Sequence, residues 1–163
     1  MSQNPSLIFE LDTDGIIANC SANDRDCVLQ YTTLKYTDAA GSTTTKTGME
    51  VRTFDIPLFD GNTIDMSIQA QSGNMATINF RVRIEATGAL PFSIGGRNAR
   101  HWFTLVSGDP TGTEFSAKAD CYTGPVPFPS LFFATIDNGG TTTDIEIDPR
   151  LQIAQPPGNY KVK

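Results

Sequence analysis

The sequence predicts an all-β fold: a single domain over residues 1–163, built as a β-sandwich of roughly nine or ten short antiparallel strands, jelly-roll or immunoglobulin-like. Three observations predict it. Apolar and polar residues alternate with a period of two over several stretches, giving strands one apolar and one wetted face. Turn residues interrupt these stretches at the spacing of about 8–12 residues typical of stacked sheets. Thr, Ser, Asn, Gly and Pro are plentiful, charged residues make up only 18%, and no segment sustains a helical period; that mix suits a pleated surface better than a helix. Ten Phe and four Tyr within 39% hydrophobic residues supply enough apolar surface for a core.

Taken in order, Leu7, Phe9 and Leu11 share one face of a first strand, ended by Asp12-Thr13-Asp14-Gly15. Ile16 to Ala18 reads as a short second piece, and Cys27 to Tyr36 as a β-branched, aromatic strand. Thr37 to Gly48 is a polar loop, and Met49 to Ile56 a strand stopped by Pro57 and the turn Asp60-Gly61-Asn62. The clearest stretch is Thr63 to Ala86. Ile64, Met66, Ile68 and Ala70 alternate with polar residues, and so do Ala76, Ile78, Phe80, Val82, Ile84 and Ala86. Ser72-Gly73-Asn74 between them is turn chemistry, so the pair predicts a long antiparallel hairpin. Ala99 to Val106 and Thr113 to Ala119 are further strands. Gly124 to Pro129 carries three prolines, which lack a ladder donor, and reads as an extended surface loop. Leu131 to Ile136 and Thr142 to Ile147 flank an Asp137-Asn138-Gly139-Gly140 turn, and Tyr160 begins a last strand.

Charge and cysteine narrow the function. A net charge of −6, with Arg81, Arg83, Arg97 and Arg100 as the only basic concentration, opposes nucleic-acid binding. No stretch is long and apolar enough to cross a bilayer as a helix. Met1 opens onto polar residues, so either the chain begins in the cytosol or an export signal has been removed. Cys20 and Cys27 bracket a polar hexapeptide and are placed to close a small disulfide, with Cys121 left over; pairings that use Cys121, and free thiols, stay open. Three cysteines and one histidine lack zinc-type spacing. No cofactor is expected.

Candidate chemistry is sparse. His101 and Trp102 are the only residues of their kinds and offer a base and a sugar-stacking ring, though neighbours on a strand face opposite ways. Asp144, Glu146 and Asp148 alternate with Ile145 and Ile147, placing three acids on one face about 7 Å apart; carboxylates so spaced run glycoside hydrolysis, and the plain reading is the wetted face of an outer strand. This DIEID segment resembles the carboxylate strand of family 16 β-glucanases with its acid order reversed. Asp12, Asp14, Asp60 and Asn62 are hard oxygen ligands acceptable to calcium, but neither cluster has the spacing of a complete calcium loop, and turn formation also explains both. No nucleophile elbow or phosphate loop is present.

Pro156-Pro157-Gly158-Asn159-Tyr160-Lys161-Val162 resembles the P-x-G-x-Y lead into the closing strand of bacterial immunoglobulin-like domains, including chaperone–usher fimbrial subunits. The resemblance implies exchange of a strand with a neighbour, for which Leu7, Phe9 and Leu11 are the natural donor. Two features depart from it: the Cys20–Cys27 spacing is shorter than that family's disulfide, and the chain ends at Lys163 before a final strand would finish, as in a piece of a longer protein. The sequence therefore predicts a non-enzymatic structural or assembly subunit, of surface-fibre or viral-capsid type, that associates with copies of itself or related subunits outside the cell, at the cell surface or in a virion. The alternative is a carbohydrate-binding module or adhesin domain that stacks Trp102 or other exposed Tyr and Phe rings on a glycan, with loop Asp and Asn as hydrogen-bond partners, and a glycoside hydrolase stands third.

Overall fold

A computed structural model of the chain describes residues 3–21, 24–59, 61–70, 77–86, 93–94, 97–98, 103–108, 114–119, 128–138 and 140–154. The chain is mostly strand. The elements are β1 (Ser6–Leu11), α1 (Thr13–Asn19), α2 (Arg25–Gln30), β2 (Thr32–Thr37), β3 (Thr43–Thr47), α3 (Glu50–Thr53), β4 (Asp55–Phe59), β5 (Thr63–Ala70), β6 (Thr77–Ala86), β7 (Ser93–Ile94), β8 (Arg97–Asn98), β9 (Phe103–Gly108), β10 (Glu114–Ala119), β11 (Phe128–Asn138), β12 (Thr141–Ile147) and β13 (Arg150–Ala154).

Six strands form one sheet in the order β3-β2-β1-β5-β10-β9. A second sheet is built around β11. One edge of β11 carries β6; the other carries β12 and then, past Pro149, β13, which pairs in turn with β4. β7 and β8 form a small ladder of their own.

The period-two pattern decides which side chains are buried. Leu7, Phe9 and Leu11 on β1, Ile64, Met66 and Ile68 on β5, and Phe115, Ala117 and Ala119 on β10 all turn inward. They join Ile56 and Leu58 of β4, Phe132, Ala134 and Ile136 of β11, and Ile145 and Ile147 of β12 in one hydrophobic cluster. Phe9 meets Phe132 with ring centroids 4.9 Å apart, a tilted contact that joins the two sheets. Each fully buried Leu, Ile or Phe contributes about 1.5–3 kcal/mol, so this shared cluster is the main force holding the sheets together.

Several expectations need correction. Not every ladder is antiparallel: β1 runs parallel to β5, and β13 to β4. The long stretch of chain between β1 and β5 supplies the crossover that parallel neighbours require. The expected hairpin of Thr63 to Ala86 does not form, because β5 lies between β1 and β10 while β6 pairs with β11. Alternation specifies a buried face and is silent about the neighbour. The turn at residues 72–74 lies outside the described residues.

Ile16 to Ala18 and the first part of Cys27 to Tyr36 are helical. Asp12 caps α1 by accepting the Gly15 N–H at 3.0 Å, and Asp24 caps α2 by accepting the Cys27 N–H at 3.0 Å. Val28 and Leu29, adjacent in sequence, are both fully buried, which a strand with a period of two does not allow. Gly15 is needed where α1 passes Tyr31, since a Cβ there would lie 2.4 Å from the ring. Glu50–Thr53 makes a single helical turn, with only Val51 buried. Part of the expected loop Thr37 to Gly48 is the strand β3, and Pro129 sits inside β11 opposite Arg150. Proline is tolerated there because its missing donor falls near the end of the strand. Residues 124–127, the approach to β11, lie outside the described residues.

Candidate functional site

The outward face of the six-stranded sheet carries a groove. On β1 the residues alternating with the buried leucines and Phe9 are Ser6, Ile8 and Glu10; on β5 they are Asp65, Ser67 and Gln69; on β10 they are Glu114, Ser116 and Lys118. The registers align them into rows. Ser6 stands opposite Asp65, Asp65 opposite Ser116, and Ser116 opposite Ser107 of β9. One step along, Ile8 stands opposite Ser67 and Ser67 opposite Glu114. These rows line the groove, which is open to solvent and has a volume of about 500 Å³.

Asp65 is held in place. Its Oδ1 accepts the Ser116 hydroxyl at 2.6 Å and the Asn4 side-chain amide at 3.5 Å. Glu10, further along the same face, is engaged by Lys35 at 3.1 Å and by the Gln69 amide at 3.2 Å. Gly108 shapes the wall at β9. It adopts φ +83°, and a Cβ there would lie 2.6 Å from Phe115 Cα and 2.8 Å from the Glu114 carbonyl oxygen. Only glycine lets the two strands approach this closely.

The acidic row of β12 has a structural task. Arg25 of α2 reaches Glu146 at 2.8 Å, Arg52 of α3 reaches Asp148 at 2.9 Å, and the buried Thr135 hydroxyl donates to Asp144 at 2.6 Å. Arg52 also holds Asp26 of α2 at 2.7 Å. Burial disfavours the Arg52 charge, but the hydrogen bonds and charges of Asp26 and Asp148 outweigh it, and its pKa stands above the ordinary arginine value. The row is thus not simply a wetted face. It is the seam to which α2 and α3 are tied by their arginines.

The other sequence candidates are distributed as follows. Leu7, Phe9 and Leu11 are fully buried on a strand paired along both edges, so within this chain they belong to its own core and do not form a free donor arm. Cys20 and Cys27 are joined in a disulfide with Cα atoms 5.6 Å apart. Asp12 is occupied as a helix cap, Asp14 sits in the first turn of α1, and Asn62 accepts the Ala119 N–H through its backbone carbonyl at 2.9 Å. Among the described residues no three His, Cys, Asp or Glu side chains group to hold a metal ion. His101, Trp102, Asp60, Cys121 and the Pro156–Val162 segment lie outside the described residues. Alternation marked Asp65 and Ser116 as facing water. Their meeting across β5 and β10 depends on strand order, which no local signal carries. In comparison with known proteins, no protein-family model and no curated protein matches this chain.

Proposed function

We propose that the chain is a non-enzymatic structural subunit whose two large sheets form the layers of a β-sandwich and which assembles with copies of itself through the edge of the six-stranded sheet. The observation that carries this is β3. Among the described strands it pairs with β2 alone, and Thr43, Thr44, Thr45 and Thr47 are exposed. Asp38 N–H donates to the Ser42 carbonyl, and Gly48 N–H to the Thr32 carbonyl, at the two ends of the β2–β3 ladder. Antiparallel ladders alternate, so these two bonds direct the backbone groups of Thr44 and Lys46 towards β2 and those of Thr43, Thr45 and Thr47 outward. Thr47 N–H is capped by the Glu50 carboxylate at 3.3 Å. Thr43 and Thr45 therefore present their N–H and C=O groups at an edge guarded by a single lysine, and such an edge is a template for strand addition.

The partial occupation of the acidic row by Arg25, Arg52 and Thr135 supports a non-catalytic reading. The disulfide supports an oxidising setting, as expected of an extracellular, cell-surface or virion protein. The C-terminal resemblance to fimbrial subunits agrees with assembly by strand pairing. Light scattering during size-exclusion chromatography over a concentration series is the test. The native chain should grow into defined oligomers. Thr45→Pro, which removes an outward donor and leaves the β2 ladder intact, should return it to a monomer with an unchanged circular dichroism spectrum. A native chain that stays monomeric at every concentration would overturn the proposal.

A further inference from the structure

We propose that the groove on the outward face of the six-stranded sheet binds a neutral oligosaccharide, through residues distinct from the Trp102 and His101 that the sequence brought forward. The proposal is independent of assembly through β3.

The first reason is chemical matching. Four serine hydroxyls, those of Ser6, Ser67, Ser107 and Ser116, line the groove with the carboxylates of Asp65 and Glu114. Serine hydroxyls both donate and accept, while ionised carboxylates only accept. Sugar hydroxyls also do both, so each can be paired without burying a lone charge. The second reason is preorganisation. Asp65 spends Oδ1 on Ser116 and Asn4, which fixes the carboxylate and leaves Oδ2 to accept from a ligand hydroxyl. The third is spacing. The row Ser6, Asp65, Ser116 and Ser107 crosses four strands at about 4.8 Å per strand, comparable with the advance of an oligosaccharide per sugar unit. Ile8, half-buried in the second row, offers an apolar contact for the C–H face of a ring.

Charge limits the alternatives. Among the described residues two acids and no cation line the groove, which opposes a sulfated or phosphorylated ligand. A cationic peptide fits the sign but leaves the serine hydroxyls without a purpose, and Ser116 and Asn4 already compete for Asp65.

Titration of the isotope-labelled full chain, followed by amide NMR shifts, tests the inference. The probes are neutral hexasaccharides of glucose, mannose, galactose and N-acetylglucosamine, with a hexa-arginine peptide and a sulfated hexasaccharide alongside. At least one neutral sugar should cause saturable shifts confined to residues 6–8, 65–67, 107–108 and 114–116. Asp65→Asn should weaken it about tenfold, the loss of a charge-assisted hydrogen bond. Ser116→Ala, which releases Asp65, should weaken it by a smaller factor, and Thr142→Ala, exposed on β12 of the other sheet, should leave it unchanged. Asp65 and Ser116 are not core residues, so the variants should keep the native spectrum. No response to any neutral sugar at about 10 mM, shifts confined to another surface, or tighter binding of hexa-arginine than of every neutral sugar would each overturn the inference.

Discussion

Replacing Cys20 and Cys27 with serine removes the cross-link between the end of α1 and the first turn of α2. These helices have seven and six residues, too few to persist on helix propensity alone. They are held by burial of Ile16, Val28 and Leu29, by the Asp12 and Asp24 caps, by the Arg25 and Arg52 ion pairs, and by the disulfide. The bridged residues are seven apart in sequence. A loop of that size loses about 2.4 kcal/mol of unfolded-state entropy when closed, so the double serine variant should be destabilised by roughly that amount. For a chain of 163 residues this corresponds to a drop in Tm of about 5–10 °C. Scanning calorimetry on the native chain and the double variant, both carrying Cys121→Ser to prevent thiol exchange, measures it. Hydrogen exchange should show the loss of protection concentrated in residues 13–31, with β1 and β5 little changed. A Tm that moves by less than about 2 °C would refute the reasoning, since the helices would then be held by packing and charge alone.

Phe132→Ala should cost about 3–5 kcal/mol by chemical denaturation, and a double-mutant cycle with Phe9→Ala should return a coupling of about 0.5–1.5 kcal/mol, because the two rings meet between the sheets; additive effects would mean that they do not. Arg52→Ala should cost about 2 kcal/mol, chiefly because the Asp148 carboxylate, 16% exposed and with Oδ1 already buried without a hydrogen-bond partner, loses the Arg52 donor at Oδ2. Arg25→Ala, whose side chain is 41% exposed, should cost under about 1 kcal/mol in the same urea titrations, and equal costs would contradict this ranking. The Tyr36 pKa is raised, first by burial and then by the charge of Asp38, and its hydroxyl donates to the Pro57 carbonyl at 2.8 Å. The unfolded tyrosine ionises at the lower, ordinary value, so this stability is fully present below about pH 10 and is lost as pH rises through the folded value. Tyr36→Phe should therefore flatten the alkaline fall of the urea midpoint, and an unaltered slope would remove Tyr36 as its source.

Much of the core was legible in the sequence. Leu7, Phe9, Leu11, Ile64, Met66, Ile68, Phe115, Ala117, Ala119, Ile145 and Ile147 follow from alternation alone, and all are buried. The Cys20–Cys27 closure was one of several open pairings, and its spacing made it feasible. The helices had a readable signal too, in the aspartates three residues before Gly15 and Cys27 and in the adjacent apolar pair Val28-Leu29. The Thr and aromatic content around them argued more loudly for strand.

The class of structure and the face each strand turns to the core are written in local pattern, because both depend on a residue and its near neighbours along the chain. Tertiary structure alone decided that β5 lies between β1 and β10 while β6 joins β11, that β1 is paired along both edges, and that Asp65 meets Ser116 across a ladder. Backbone hydrogen bonds are nearly the same for any partner strand, so strand order is selected by the fit of whole apolar faces in one shared core. No local pattern of residues records that choice.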